Sequence, residues 1–127
     1  MTYEIFQTIF PFWIRAFCFT LIIEVPIFVL IGRMSSTKEN PIPIWRLALA
    51  GAAGTFITHP LLWFAWSQLI SNYTVYIVSG ELMIAVIESI TFWLIAKPIS
   101  FKRAMAASFI ANAASYGGGV VFQALTG

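Results

Sequence analysis

The sequence predicts an all-α membrane protein, a single bundle of four transmembrane helices with short loops. Hydrophobic residues make up 60% of the 127 residues and charged residues only 9%, whereas a soluble domain averages about 25% charged residues. Four segments have the length of about 20 mostly apolar residues that a bilayer core requires. The alternation typical of a membrane β-barrel is not visible. We therefore expect residues 1–127 to form one transmembrane domain.

The four predicted spans follow one another with little chain between them. They cover about residues 9–31, 44–69, 74–96 and 104–125. Each is expected to be helical, because a backbone in lipid must satisfy its own hydrogen bonds. Short connections favour antiparallel packing of consecutive helices. No internal repeat stands out, and no echo between pairs of spans supports an inverted repeat.

Basic residues predict the orientation in the membrane. Six of the seven Lys and Arg residues lie in or beside the first and third loops, and the second loop has none. The six are Arg33, Lys38, Arg46, Lys97, Lys102 and Arg103. By the positive-inside rule these loops face the cytoplasm, which places both termini outside. The expected location is a plasma or inner membrane.

Each span carries one strongly polar side chain near the middle of the bilayer. With a rise of about 1.5 Å per residue, Glu24, His59, Glu88 and Asn112 lie within about 5 Å of the span centres. A charge at the centre of a lone helix costs about 2.5–3.5 kcal/mol, so the glutamates should face inward. His59 and Asn112 are their expected partners. Two like charges in a medium of low dielectric constant cannot both ionise cheaply, so at least one carboxyl should hold or share a proton.

Hydroxyl and small residues are expected to support this candidate ligand- or ion-binding cluster. The supporting residues are Thr55 and Thr58 in the second span and Ser108 and Ser115 in the fourth. Small residues allow close helix contacts, and hydroxyl groups form hydrogen bonds across them. The stripes of small residues therefore predict that the second and fourth spans are the tightly packed pair.

Two prolines follow the polar residues closely. Pro26 comes two positions after Glu24, and Pro60 follows His59 directly. A proline inside a helix removes one backbone hydrogen bond and kinks the helix. The sequence therefore predicts distorted backbone beside these polar side chains, either as part of a binding site or as a feature that shapes the bundle.

A further candidate interaction lies nearer the outer interface. Arg15 and Glu81 have similar estimated depths on the first and third spans. They are a candidate interfacial ion pair, and the alternative is that each side chain extends separately to water.

The composition excludes several kinds of chemistry. The chain has no aspartate, one cysteine and one histidine, which excludes a Ser-His-Asp triad, an internal disulfide and a cysteine metal cluster. We assign no catalytic residue and no metal site, and the sequence indicates no particular cofactor. A net charge of +2, spread over small clusters, argues against nucleic acid as a partner.

Three functions are compatible with these features. The first is proton- or cation-responsive transport or small-ligand binding, because intramembrane ionisable residues mark functional sites. The second is an accessory or assembly subunit of a larger membrane complex, with other membrane proteins or further copies of the chain as partners. The third is a membrane enzyme that acts on a lipid-soluble substrate, although no nucleophile is evident. A polar cavity at the cluster would favour transport or catalysis, and a dry cluster would favour the accessory role.

Overall fold

Four helices form the protein, as the sequence predicts. The computed structural model describes residues 1–127 and contains no strand. The helices are α1 (Tyr3–Ser35), α2 (Ile44–Leu69), α3 (Tyr73–Ile95) and α4 (Phe101–Thr126). All four are long and apolar enough to cross a membrane. The chain is therefore an integral membrane protein whose helices contact the lipid bilayer.

Side-chain caps begin three of the helices. Thr2, Asn72 and Ser100 each accept a hydrogen bond from the backbone N–H three residues later, at 3.0–3.3 Å. Such caps satisfy amide groups that have no partner within the helix. The cap at Thr2 explains why α1 begins well before residue 9, where the apolar span begins.

The helices pack as a ring in chain order. Helix α1 packs against α2, α2 against α3, α3 against α4, and α4 closes the ring against α1. One end of the ring, here called the basic end, carries the α1–α2 and α3–α4 loops. The opposite end, the terminal end, carries both chain termini and the α2–α3 loop. Helices α1 and α3 are diagonal partners, as are α2 and α4.

The expectation that the second and fourth spans form the tightly packed pair is wrong. Helices α2 and α4 lie across the ring from each other. Their small residues face large side chains of α1 and α3 instead. Gly51 lies against the side chain of Phe28, and Gly54 lies against Glu88. The missing side-chain volume accommodates bulky groups at the centre of the ring, so it does not bring α2 and α4 together.

The half of the bundle toward the basic end is closely packed. Phe28 and Phe92 are fully buried, with ring centroids 4.7 Å apart. Ile42 and Ile99, from the two basic loops, belong to the same buried apolar cluster. Arg103 donates to the Met34 carbonyl oxygen at 3.3 Å and so ties the start of α4 to the end of α1. These contacts close the bundle at the basic end.

The predicted backbone distortion is present after Pro60, whereas Pro26 does not interrupt its helix. Helix α1 continues through Pro26. In α2 the six residues after Pro60, Leu61–Trp66, form a π-helical segment. There the Ser67 N–H donates to the Leu62 carbonyl oxygen, five residues earlier. Proline lacks the N–H of a regular helix, and π-helical turns recur at functional sites.

Buried positions reveal an internal repeat that the sequence alone did not make evident. In α1 and α3, the runs IEVPIFVLIGR (23–33) and IESITFWLIAK (87–97) align on Glu24 with Glu88 and on Phe28 with Phe92. In α2 and α4, GTFITHP (54–60) aligns with ASFIANA (107–113). Further pairs of buried residues that coincide in this alignment are Gly51 with Ala104, Gly54 with Ala107, Thr55 with Ser108, Thr58 with Ala111, and His59 with Asn112.

The expectation of no repeat is therefore corrected. Hairpin α1–α2 and hairpin α3–α4 run in the same direction, so the repeat is parallel. The signal is hidden in the linear sequence because the loop between the aligned runs differs in length. In this ring order α1 and α3 occupy equivalent places, as do α2 and α4, so the repeat pairs Glu24 with Glu88 across the ring.

Substitution of Gly51 provides a test of the close packing at the basic end. A Cβ atom there would lie 2.9 Å from the Phe28 Cβ, whereas at Gly117 it would meet nothing within 4 Å. We expect Gly51→Ala to lower the free energy of unfolding by about 1–3 kcal/mol through overpacking. Gly117→Ala is the control and should be neutral or slightly stabilising. Equal stability of the two variants in detergent denaturation would contradict this packing.

Candidate functional site

A cavity of about 500 Å³ opens between all four helices in the half of the bundle toward the terminal end. Its lining extends to Tyr73 at the start of α3 and to Gln123 in the last turns of α4, both exposed. On each helix, the lining residue nearest the basic end is a polar one. These four residues are Glu24, Thr58, Glu88 and Asn112. They form the floor of the cavity, above the packed aromatic core.

Each floor glutamate connects the two diagonal helices α2 and α4. Glu24 accepts from Thr55 at 2.9 Å and from Ser115 at 2.6 Å. Glu88 is within 2.8 Å of the Thr58 hydroxyl oxygen and accepts from the Asn112 amide at 2.8 Å. Both residues are only 1% exposed. Three of the four supporting residues expected from the sequence thus contact the glutamates directly.

The fourth supporting residue, Ser108, holds Asn112 in place. Its hydroxyl donates to the Ala85 carbonyl oxygen at 2.8 Å, and its own carbonyl oxygen accepts from the Asn112 amide at 2.8 Å. The amide group of Asn112 therefore bridges Ser108 and Glu88. This arrangement fixes the side chain that faces Glu88.

The hydrogen-bond geometry at Glu88 leaves room for a proton on the carboxyl group. The Thr58 hydroxyl oxygen lies 3.0 Å from the Gly54 carbonyl oxygen as well as 2.8 Å from Glu88 Oε1. A hydroxyl group has a single hydrogen to donate. When that hydrogen points to Gly54, the contact with Glu88 is a hydrogen bond only if the carboxyl group is the donor. The geometry accommodates a protonated Glu88 without moving an atom.

His59 does not pair with either glutamate. Its Nε2 lies 3.3 Å from the Thr20 hydroxyl, and its Nδ1 is buried without a partner. The ring packs near Phe17 and Trp63. In the internal repeat His59 is the counterpart of Asn112, which does bind its glutamate. The repeat is therefore broken at the site, where one half has an amide on its carboxyl group and the other has an imidazole turned toward Thr20.

Glu81 and Arg15 are placed differently from each other. Glu81 is half-buried and lines the cavity, whereas Arg15 is exposed and is not part of the lining. Neither side chain forms a hydrogen bond within the protein. The interfacial ion pair of Arg15 and Glu81 stays a prediction.

Several aromatic residues of the cavity wall were not expected from the sequence. Trp63 and Tyr116 line the cavity, and Tyr76 lines it while its hydroxyl donates to the Leu62 carbonyl oxygen at 3.2 Å. That carbonyl oxygen belongs to the π-helical segment. The available signal was the set of aromatic residues near the outer ends of the spans, which is also typical of residues at the membrane interface.

A second, lateral groove of about 430 Å³ lies between α3 and α4. Seven of its nine lining residues are hydrophobic, which suits contact with apolar groups. Four residues line both the groove and the central cavity, namely Ile77, Glu81, Asn112 and Tyr116. These shared residues border both spaces, so the polar cavity and the apolar groove share one wall.

Comparison of the chain with models of protein families, with functionally described proteins and with solved structures gave no match. The residues of the cavity therefore carry the functional argument on their own.

Proposed function

We propose that this protein binds or transports a small cationic ligand in the central cavity, with Glu24 and Glu88 exchanging protons for the ligand's positive charge. The observation that carries the proposal is the pair of buried carboxyl groups at the floor of an open cavity. Ionisable groups inside a membrane are costly and mark ion or substrate pathways. A purely structural hydrogen bond would not require two such groups.

The charges around the cavity support a cation. Its lining contains three carboxyl groups, those of Glu24, Glu81 and Glu88, and no lysine or arginine. His59 is the one basic side chain in the lining. Burying two ionised carboxyl groups without a cation carries a large penalty in free energy. Either protons or a bound cation must therefore neutralise the floor, and that competition couples ligand binding to protons.

The cavity also bears on the accessory-subunit alternative. In an accessory subunit the polar cluster would serve only to hold the helices together, and it would then be dry and fully hydrogen-bonded. Here the floor glutamates are paired, but they border open volume, and the same lining contains His59, whose Nδ1 lacks a partner. These features favour ligand binding over a packing role.

Infrared spectroscopy tests the proton site. We expect purified protein in lipid nanodiscs to show the stretching band of protonated carboxyl groups at neutral pH. Glu88→Gln should remove part of this band, and Glu24→Gln with Glu88→Gln should remove most of it. Glu39→Gln, at an exposed loop position, is the control and should leave the band unchanged. A wild-type spectrum without this band at neutral pH would overturn the proton-exchange mechanism.

We further propose that the cavity opens to the outside, with both basic loops in the cytoplasm. The positive-inside rule supports this orientation. In a Cys18→Ala background, Ser71→Cys should react with a membrane-impermeant maleimide on intact cells. Glu39→Cys should react only after the cells are opened. Positions 39 and 71 are both exposed in loops, so the difference in labelling reports the side of the membrane. The reverse labelling pattern would contradict the proposed orientation.

A further inference from the structure

We infer that Glu81 anchors the ligand of this cavity, and that the ligand is an amphipathic organic cation with a primary ammonium group and an apolar body. The inference rests on the proposed function and names the chemical class of its ligand. It assigns Glu81 a role separate from the two proton-exchanging glutamates at the floor.

Glu81 differs from the floor glutamates in having no partner. Glu24 and Glu88 each have two side-chain partners, whereas the Glu81 side chain forms no hydrogen bond within the protein and lines the cavity. It lies about two helical turns from Glu88 toward the terminal end, because a turn takes about 3.6 residues. An ammonium group would neutralise the carboxylate and satisfy its acceptor oxygens. Glu81 is thus a carboxyl group in the cavity wall whose acceptor oxygens no hydrogen bond within the protein satisfies.

His59 provides an independent indication of a ligand. It is 8% exposed, lines the same cavity and has an unpartnered Nδ1. When Nε2–H donates to Thr20, Nδ1 is a hydrogen-bond acceptor. A ligand with N–H groups can satisfy such an acceptor, which a quaternary ammonium cannot do. This favours an ammonium group with N–H donors over a quaternary one, and a primary ammonium has the most donors, enough for Nδ1 and for the carboxyl oxygens of Glu81.

The cavity walls and the groove indicate an apolar body. Trp63, Tyr76 and Tyr116 contribute aromatic rings to the wall, and such rings attract cations and pack against apolar groups. Glu81 and Tyr116 also border the lateral groove, whose lining is mostly apolar. A ligand with its ammonium at Glu81 can therefore place its apolar part in the groove. A volume of about 500 Å³ is in the range of small-molecule sites.

This chemistry has two sources, a free arylalkylamine and the headgroup of an aminophospholipid. The experiment uses 2-phenylethylammonium as the probe and measures its binding calorimetrically to the full chain in phosphatidylcholine nanodiscs. The neutral analogue 2-phenylethanol is the ligand control. Glu81→Gln is compared with Glu4→Gln, which makes the same change of charge at an exposed position near the terminal end.

We expect Glu81→Gln to weaken binding of the ammonium probe at least tenfold and to leave the thermal midpoint unchanged. Glu4→Gln should bind the probe as the wild type does, and the neutral analogue should bind more weakly to the wild type. If phosphatidylethanolamine nanodiscs abolish probe binding to the wild type, the ligand is the lipid headgroup. If they do not, it is a free amine. Both results support the inference.

Equal binding of the amine and the alcohol, or full binding by Glu81→Gln, would overturn the inference. These results are separable from a failure of the proposed function. Protonated carboxyl bands that respond to Glu88→Gln, without binding of the probe, would leave proton exchange standing and reject this ligand class. Binding of the probe that depends on Glu81, without a protonated carboxyl band, would support this ligand class and reject proton exchange at the floor glutamates.

Discussion

Glu88→Leu is expected to destabilise the bundle, whereas Glu88→Gln should fold and lose part of the proton release that accompanies ligand binding. Leucine removes the acceptor that the Asn112 amide uses at 2.8 Å, in a site that is 1% exposed. A buried group left without its partner costs about 1–3 kcal/mol. Glutamine keeps the shape and the hydrogen-bonding capacity of the glutamate but cannot titrate. Unfolding in detergent should therefore rank the wild type and Glu88→Gln well above Glu88→Leu.

The functional readout separates a structural Glu88 from a proton-exchanging one. Proton release on binding of the cationic probe, measured with a pH indicator in weakly buffered solution, should fall about twofold in Glu88→Gln, because only Glu24 is left to exchange a proton. The exposed-site variant Glu4→Gln is the control and should release as many protons as the wild type. A folded Glu88→Gln variant with wild-type proton release would assign Glu88 a structural role only.

Phe28→Ala is the second change with a large expected effect. Phe28 is fully buried against Phe92. In a membrane protein the loss arises mainly from packing, because lipid is itself apolar. Removal of roughly 100 Å³ of side chain at about 24 cal/mol per Å³ of cavity gives a loss of about 2–3 kcal/mol in the free energy of unfolding.

The matched control is Phe12→Ala, because Phe12 is 63% exposed on the outer face of α1. This variant should change the free energy of unfolding by less than about 0.5 kcal/mol. Phe28→Ala should also loosen the closed half of the bundle, which faster hydrogen exchange of amides in its core would detect. Equal stability of the two variants would show that Phe28 does not hold the basic end closed.

Hydropathy was sufficient to predict the four helices, because a bilayer imposes length and composition on every span. The shared height of the polar residues along the bundle axis could also be estimated from the sequence, since helical rise converts position into distance along the axis. This is why Glu24, Glu88 and Asn112 could be assigned to one layer. The beginning of α1 at Tyr3 was missed, because a single cap at Thr2 extends it beyond the apolar span.

Side-chain partners could not be predicted in the same way. Small residues indicate close approach but do not say whether a backbone or a large side chain comes near, and Gly54 lies against Glu88. His59 was expected at a glutamate and lies instead at Thr20. Depth fixes the layer of a residue, but the rotation of each helix about its axis decides which neighbour it faces.

The sequence by itself determined the membrane-spanning helices, their short connections and the layer of polar residues, since each depends on local composition and helical geometry. Only the tertiary structure decided the ring order, the parallel repeat and the cavity. These depend on how four helix surfaces pack together, because equally apolar faces do not distinguish one neighbour from another. The assignment of Glu81 to the shared wall of cavity and groove follows from that packing alone.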